Sequence, residues 1–154
     1  MDILEELKAV IAQFDQDGID YALCGGLAMA VYALPRATLD IDLLIQVDSL
    51  FRAKHAVEPL GFTLSAVPME FHGGKIKIYR LCKIEPVTAD ELVLDFLLVT
   101  PETASAWEGR QEVEWDGRPL KVVSPQGLIL LKSFRHSGKD QDDIKHLRSI
   151  SDKD

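Results

Sequence analysis

Asp40 and Asp42 stand inside the apolar run DIDLLI, shortly after Gly25-Gly26, and that placement constrains the chain more than any other feature. A carboxylate among apolar residues is costly unless it is paired or bound to a cation. A β-strand resolves the conflict, because residues two apart share a face: both acids aim at one spot while Ile41, Leu43 and Ile45 enter the core. Two hard oxygen donors on one rigid ribbon suit Mg²⁺, which takes one or two carboxylates and completes its shell with phosphate oxygens and water. Asp95 sits alone in LVLDFLLV and poses the same problem. If its strand lies beside that of Asp40 and Asp42, the three acids form a cluster able to hold two metal ions, with Asp95 taking the proton of an attacking hydroxyl. Otherwise Asp95 pairs with Arg80 or Lys77. The pattern points to phosphoryl or nucleotidyl transfer.

Gly25-Gly26 falls between a strand pattern and a helix pattern, where glycine lets backbone N–H groups approach a phosphate at a helix N-terminus. The chain has neither GxxxxGK[ST] nor GxGxxG, so a Walker loop and a dinucleotide fingerprint are excluded. Arg36 and Thr38, between the glycines and the acids, are further nucleotide-side candidates, Arg36 as a phosphate contact that also balances the carboxylates. Lys132 lies on an apolar helix with its ammonium at the edge of the buried face, in reach of a cleft. Lys139 and Asp143 read as a solvated i, i+4 pair. His55, His72, His136 and His146 lack metal-site spacing and read as structural or surface residues. Lys75, Lys77 and Tyr79 are expected on one face of an edge strand whose lysines discourage aggregation.

Helical spacing of Ile3, Leu4, Leu7, Val10, Ile11 and Phe14 predicts a first helix stopped at Gly18. Strands are expected over 21–24 and 40–47, with a short helix between them in LAMAVYAL and another helix, capped by Asp48 or Ser49, running through Phe51, Ala56 and Val57 to Leu60. Phe62 to Phe71 and Lys75 to Cys82 read as a hairpin around Gly73-Gly74. A second hairpin is expected at Asp116-Gly117, a helix opening at Ser124-Pro125, and a last polar helix over 140–150. The expected class is α+β: one mixed β-sheet flanked by helices in a single domain, with a core over about 1–123 and a helical segment over about 124–154.

A net charge of −8, with Asp2, Glu5, Glu6, Asp15, Asp17 and Asp20 opposed only by Lys8 near the start, disfavours non-specific nucleic-acid binding. It leans toward a small acceptor over RNA or protein. Cys24 and Cys82 make no CxxC pair and read as buried free thiols in a reducing compartment. MDILEELKAV is an acidic amphipathic helix, not a signal peptide, and no apolar run has membrane-spanning length. A cytoplasmic protein with no membrane partner is expected.

The spacing GG-x13-DxD, the later lone strand acid, and SPxxLxxxK followed by KDxxDIxxL together resemble the nucleotidyltransferase superfamily. The resemblance is strongest over Tyr21 to Ile45 and Pro125 to Leu147. It is nearest to the branch holding lincosamide and aminoglycoside nucleotidyltransferases and abortive-infection-type nucleotidyltransferase toxins. It implies a nucleotidyltransferase-like mixed sheet, a nucleoside triphosphate whose phosphates meet Gly25 and Gly26, and Mg²⁺ (one or two ions) on Asp40 and Asp42. Asp95 matches the third carboxylate, Lys132 the lysine that steadies the triphosphate, and Asp140 the acid of the terminal motif. Much of the superfamily has Gly-Ser where this chain has Gly-Gly. The chain also has no sizeable acceptor domain after residue 124, so either its last helices suffice or a second subunit, as in a homodimer, completes the cleft. The activity implied is transfer of a nucleoside monophosphate to a hydroxyl with release of pyrophosphate. The alternative is a non-catalytic binding module of the same fold, such as a toxin–antitoxin component.

Overall fold

Asp2 opens the chain's first element by capping it: its carboxylate accepts from the backbone N–H groups of Leu4 and Glu5, which no helical carbonyl can satisfy. The computed structural model describes residues 1–32, 40–134 and 145–150. Helix α1 (Ile3–Asp17) buries Leu7, Val10, Ile11 and Phe14 and ends at Gly18. Strand β1 (Ala22–Cys24) runs into α2 (Gly25–Val31), and β2 (Asp40–Ile45) follows. A short 3₁₀ turn leads to α3 (Leu50–Val57), and another ends it over Glu58–Leu60.

The first hairpin differs from expectation. Its leading arm is two short strands, β3 (Leu64–Ser65) and β4 (Met69–Phe71), both antiparallel to β5 (Ile76–Ile84). Pro68 lies in the gap, where it has no N–H to give a ladder. Because β6 (Glu91–Leu98) pairs with the other side of β5, β5 is an interior strand and not the edge expected. Lys75 falls in the turn before it, so only Lys77 and Tyr79 share the face assigned to all three. There the Lys54 ammonium donates to the Tyr79 hydroxyl at 2.7 Å.

Helix α4 (Ala104–Glu108) was not expected, being too short to show a period. Strands β7 (Gln111–Trp115) and β8 (Arg118–Val122) form the second hairpin, turning at Asp116 (φ 52°) and Gly117 (φ 77°). Positive φ at both central residues is what a tight two-residue turn demands. In α5 (Pro125–Lys132) the Ser124 hydroxyl caps the helix by accepting from the Gly127 N–H at 3.1 Å. Residues 145–150 are helical, and Leu147 is fully buried in the core.

Among the described residues the strands make one eight-stranded mixed sheet in the order β3-β5-β6-β2-β1-β8-β7, with β4 also on β5. Strand β2 is antiparallel to β1 and parallel to β6. Ile41, Leu43 and Ile45 are fully buried, as the alternation requires. Phe14 of α1 lies 6.0 Å from Phe96 of β6 and 6.1 Å from Tyr21, ring contacts of the kind that add about 1 kcal/mol beyond area burial. The other face of β2, β6 and β5 is left for the acids. No helix among the described residues is long and apolar enough to cross a membrane.

Candidate active site

Strand register builds the site. Asp42 of β2 stands opposite Cys24 on one side and Asp95 of β6 on the other, and Asp95 in turn stands opposite Arg80 of β5. Four neighbouring strands thus carry Cys24, Asp42, Asp95 and Arg80 in one row across the sheet. Asp40 lies one step along β2 on the same face. A cleft of about 550 Å³ opens over this row, lined by Gly25, Asp40, Asp42, Arg80, Asp95 and Lys132 together with an apolar wall. That wall includes Ile76, Ile78 and Leu97 from the sheet and Leu128, Leu131 and Phe134 from α5 and the residues just after it.

Gly25 is at φ +67°, and a Cβ built on it would lie 2.0 Å from Asp42 Oδ2 and 2.9 Å from Asp42 Cβ. Only glycine permits both the turn into α2 and the approach of its backbone to the Asp42 carboxylate. Gly26 sits in the first turn of the same helix but does not line the cleft. Lys132 is only 7% exposed, yet it reaches the cleft from α5. Arg36, Thr38 and Asp140, also expected at the nucleotide, lie outside the described residues.

Asp95 is held by a partly buried ion pair. Its side chain is 5% exposed, and both oxygens are taken by Arg80: Nε donates to Oδ1 at 2.9 Å and Nη2 to Oδ2 at 3.0 Å. This is the bidentate fork that matches guanidinium to carboxylate, and it realises the pairing with Arg80 weighed above. Asp42 and Asp95 are therefore adjacent, while Asp95 is engaged by an arginine. Among the described residues no three His, Cys, Asp or Glu side chains are grouped closely enough to hold a metal ion.

The electrostatics follow from this packing. Burial pushes the Asp40 carboxyl above its usual range, and the charge of Asp95 adds to that push while Arg80 opposes it. Arg80 is held charged by its hydrogen bonds to Asp95. The Cys24 thiol is pushed well up by burial and by the charges of Asp42 and Asp95, the direction that disfavours the reactive thiolate. Both Cys24 and Cys82 are free thiols.

Sequence reasoning missed two contributors. Arg80 appeared there only as one of two partners for Asp95, although the alternation Ile76, Ile78, Arg80 was the available sign that it faces the cleft. His72, read as structural or surface, lines one end of the cleft, where Nε2 contacts the Phe134 carbonyl and the two rings lie 5.7 Å apart. That contact joins the β4–β5 turn to the end of α5 and had no local sequence signal.

The fold these elements make is nucleotidyltransferase-like. Among solved structures, the antibiotic-resistance factor ANT(2'')-Ia matches with a TM-score of 0.66 at 16% identity, over 97% of this chain and 85% of that one. The same enzyme in complex with adenylyl-2''-tobramycin matches at 0.63 with 18% identity, over 94% of this chain and 86% of that one. A candidate nucleotidyltransferase from Thermotoga maritima matches at 0.60 with 12% identity, over 99% and 94%. Neither a protein-family profile nor a curated protein sequence matches the chain.

Proposed function

We propose that this protein is a Mg²⁺-dependent nucleotidyltransferase that moves a nucleoside monophosphate from a nucleoside triphosphate to a hydroxyl of a small molecule and releases pyrophosphate. The observation that carries the reading is the pairing of Asp42 with Asp95 across β2 and β6, directly beneath the turn at Gly25. The donor set fits the metal: Asp40 and Asp42 present hard oxygens from the same strand face, as Mg²⁺ requires when phosphates complete its shell. These two residues would hold the ion, which would supply charge neutralisation at the phosphate under attack.

The chain's own residues do the rest. The Gly25 turn lets backbone come close to bound phosphate, and the Lys132 ammonium balances its charge from the α5 side. Asp95, when its oxygens are available, accepts the proton of the acceptor hydroxyl as the new O–P bond forms and the bond to pyrophosphate breaks. The apolar wall excludes water, which would otherwise compete as acceptor. A small-molecule acceptor is supported by the complex of ANT(2'')-Ia with adenylyl-2''-tobramycin.

A second reading, a binding module of the same fold such as a toxin–antitoxin component, draws on one observation: the Arg80 fork on Asp95. The two readings part in a product assay. Each nucleoside triphosphate is incubated with Mg²⁺ and a panel of hydroxyl-bearing small molecules, aminoglycosides included, and acceptors are examined for the mass of an added nucleoside monophosphate. Product with the wild type and none with Asp42→Asn supports transfer. Nucleotide binding without pyrophosphate release from any member of the panel supports the binding module.

A further inference from the structure

Arg80 occupies a position that the transfer reaction, as derived above, leaves unexplained. A buried carboxylate can be satisfied by backbone donors or by a lysine, whereas here a planar fork takes both oxygens at once. While that fork is in place, each Asp95 oxygen already accepts a charge-assisted hydrogen bond from Arg80, which neutralises the carboxylate and weakens it both as a ligand for a second cation and as a base. The guanidinium is not itself buried. The Arg80 side chain is 37% exposed, lines the cleft, and retains N–H donors that Asp95 does not use. It stands in the same row as Asp42, within the space that a triphosphate held by Gly25 and Lys132 would enter.

We propose that Arg80 is a positioning residue that gates Asp95: its guanidinium holds the carboxylate closed until an anionic phosphate in the cleft takes over those hydrogen bonds. The proposal rests on the nucleotidyltransferase reading. The exchange moves hydrogen bonds only, from carboxylate oxygens to phosphate oxygens, and the charge of Arg80 is neutralised before and after. Released, Asp95 takes the hydroxyl proton while the acceptor oxygen bonds to phosphorus and the electron pair of the broken bond leaves on pyrophosphate. Phosphate binding thereby becomes a condition for a competent base, which guards the nucleotide against attack before it is seated.

The test uses Mn²⁺, followed by electron paramagnetic resonance, in the absence of nucleotide. Arg80→Gln removes the fork, so Asp95 becomes free to join Asp40 and Asp42, and Mn²⁺ affinity is expected to rise about tenfold. The double variant Arg80→Gln/Asp95→Asn should lose that gain. Arg80→Lys, which keeps the charge but engages one oxygen, should fall between wild type and Arg80→Gln, and it carries the comparison if Arg80→Gln does not fold. In EDTA, both single variants should bind ATP more weakly than the wild type, by roughly tenfold for Arg80→Gln. Unchanged Mn²⁺ affinity in the folded Arg80 variants, or ATP affinity in EDTA equal to wild type, overturns the gate. Binding of ATP with Mn²⁺ by the wild type but not by Asp42→Asn tests the nucleotidyltransferase activity independently of the gate.

Discussion

Two clusters of carboxylate and cation lie on opposite sides of the central β2 strand, and they are built in opposite ways. In the cleft, a nearly buried Asp95 meets one arginine through a bidentate fork. On the far side, Asp20 precedes β1 and gathers two cations: Lys121 of β8 at 2.7 Å and Arg110, just before β7, at 2.5 Å. The Asp20 side chain is 40% exposed, so water screens its pairs, and Lys121 and Arg110 also lie against the Tyr21 and Trp107 rings. The Asp20 cluster stitches strand ends together at the surface. The Asp95 pair places charge inside a sheet, where apolar residues would pack at less cost.

The comparison is sharpest in stability. Arg80→Ala leaves Asp95 buried without its partner and should cost about 3 kcal/mol in urea unfolding, at the low end for a broken buried pair because Arg80 is partly exposed. A loss no greater than that of Asp20→Asn would break the contrast. Gly25→Ala should cost about 2 kcal/mol for the positive φ alone, and the new methyl group would also drive Asp42 from its place. A variant that retains both wild-type stability and nucleotide binding would contradict the assigned close approach.

The far cluster should respond more weakly and mainly to pH. Asp20→Asn should cost under about 1 kcal/mol at neutral pH, and about 1 M salt should shrink that difference, since exposed pairs are screened. Although burial raises the Asp20 pKa, Lys121, the Tyr21 N–H and Arg110 together hold it below its ordinary value of 3.8. A depressed folded-state value means that this stabilisation is complete above the unfolded value and is lost as pH falls through the folded one. The gap between wild type and Asp20→Asn should therefore close on the acid side of the unfolding curve. Asp40 has the reverse sign: burial raises its pKa, so its contribution is complete below 3.8 and is lost as pH rises through the folded value. Asp40→Asn should flatten that decline in thermal melts taken across the acid range.

Reading the chain alone found what local pattern encodes. Helical spacing marked α1, alternation marked β2 with its acids on one face, Asp116-Gly117 marked a hairpin, and Ser124-Pro125 opened α5. The adjacency of Asp42 and Asp95 was legible only as a condition, because it depends on β2 and β6 pairing across 50 or so residues of intervening chain. Lys132 was placed at a cleft by its position on an apolar helix, and it lies there. What escaped was non-local or too short: the Arg80 fork needs the β5–β6 register, the His72–Phe134 contact joins distant segments, and the five residues of α4 show no period. The assignment of Lys75, Lys77 and Tyr79 to one edge face failed because the glycine turn takes up Lys75 and because β6, distant in sequence, pairs along the other side of β5.

The central claim is that Asp40 and Asp42 make a metal-dependent nucleotide site under the Gly25 turn. Its most direct test is calorimetric titration of ATP, GTP, CTP and UTP into wild type and Asp42→Asn, each with and without Mg²⁺. The account predicts binding that requires Mg²⁺ and falls by at least about a hundredfold in Asp42→Asn, with an unfolding midpoint close to wild type. Binding that ignores both Mg²⁺ and the substitution would contradict it.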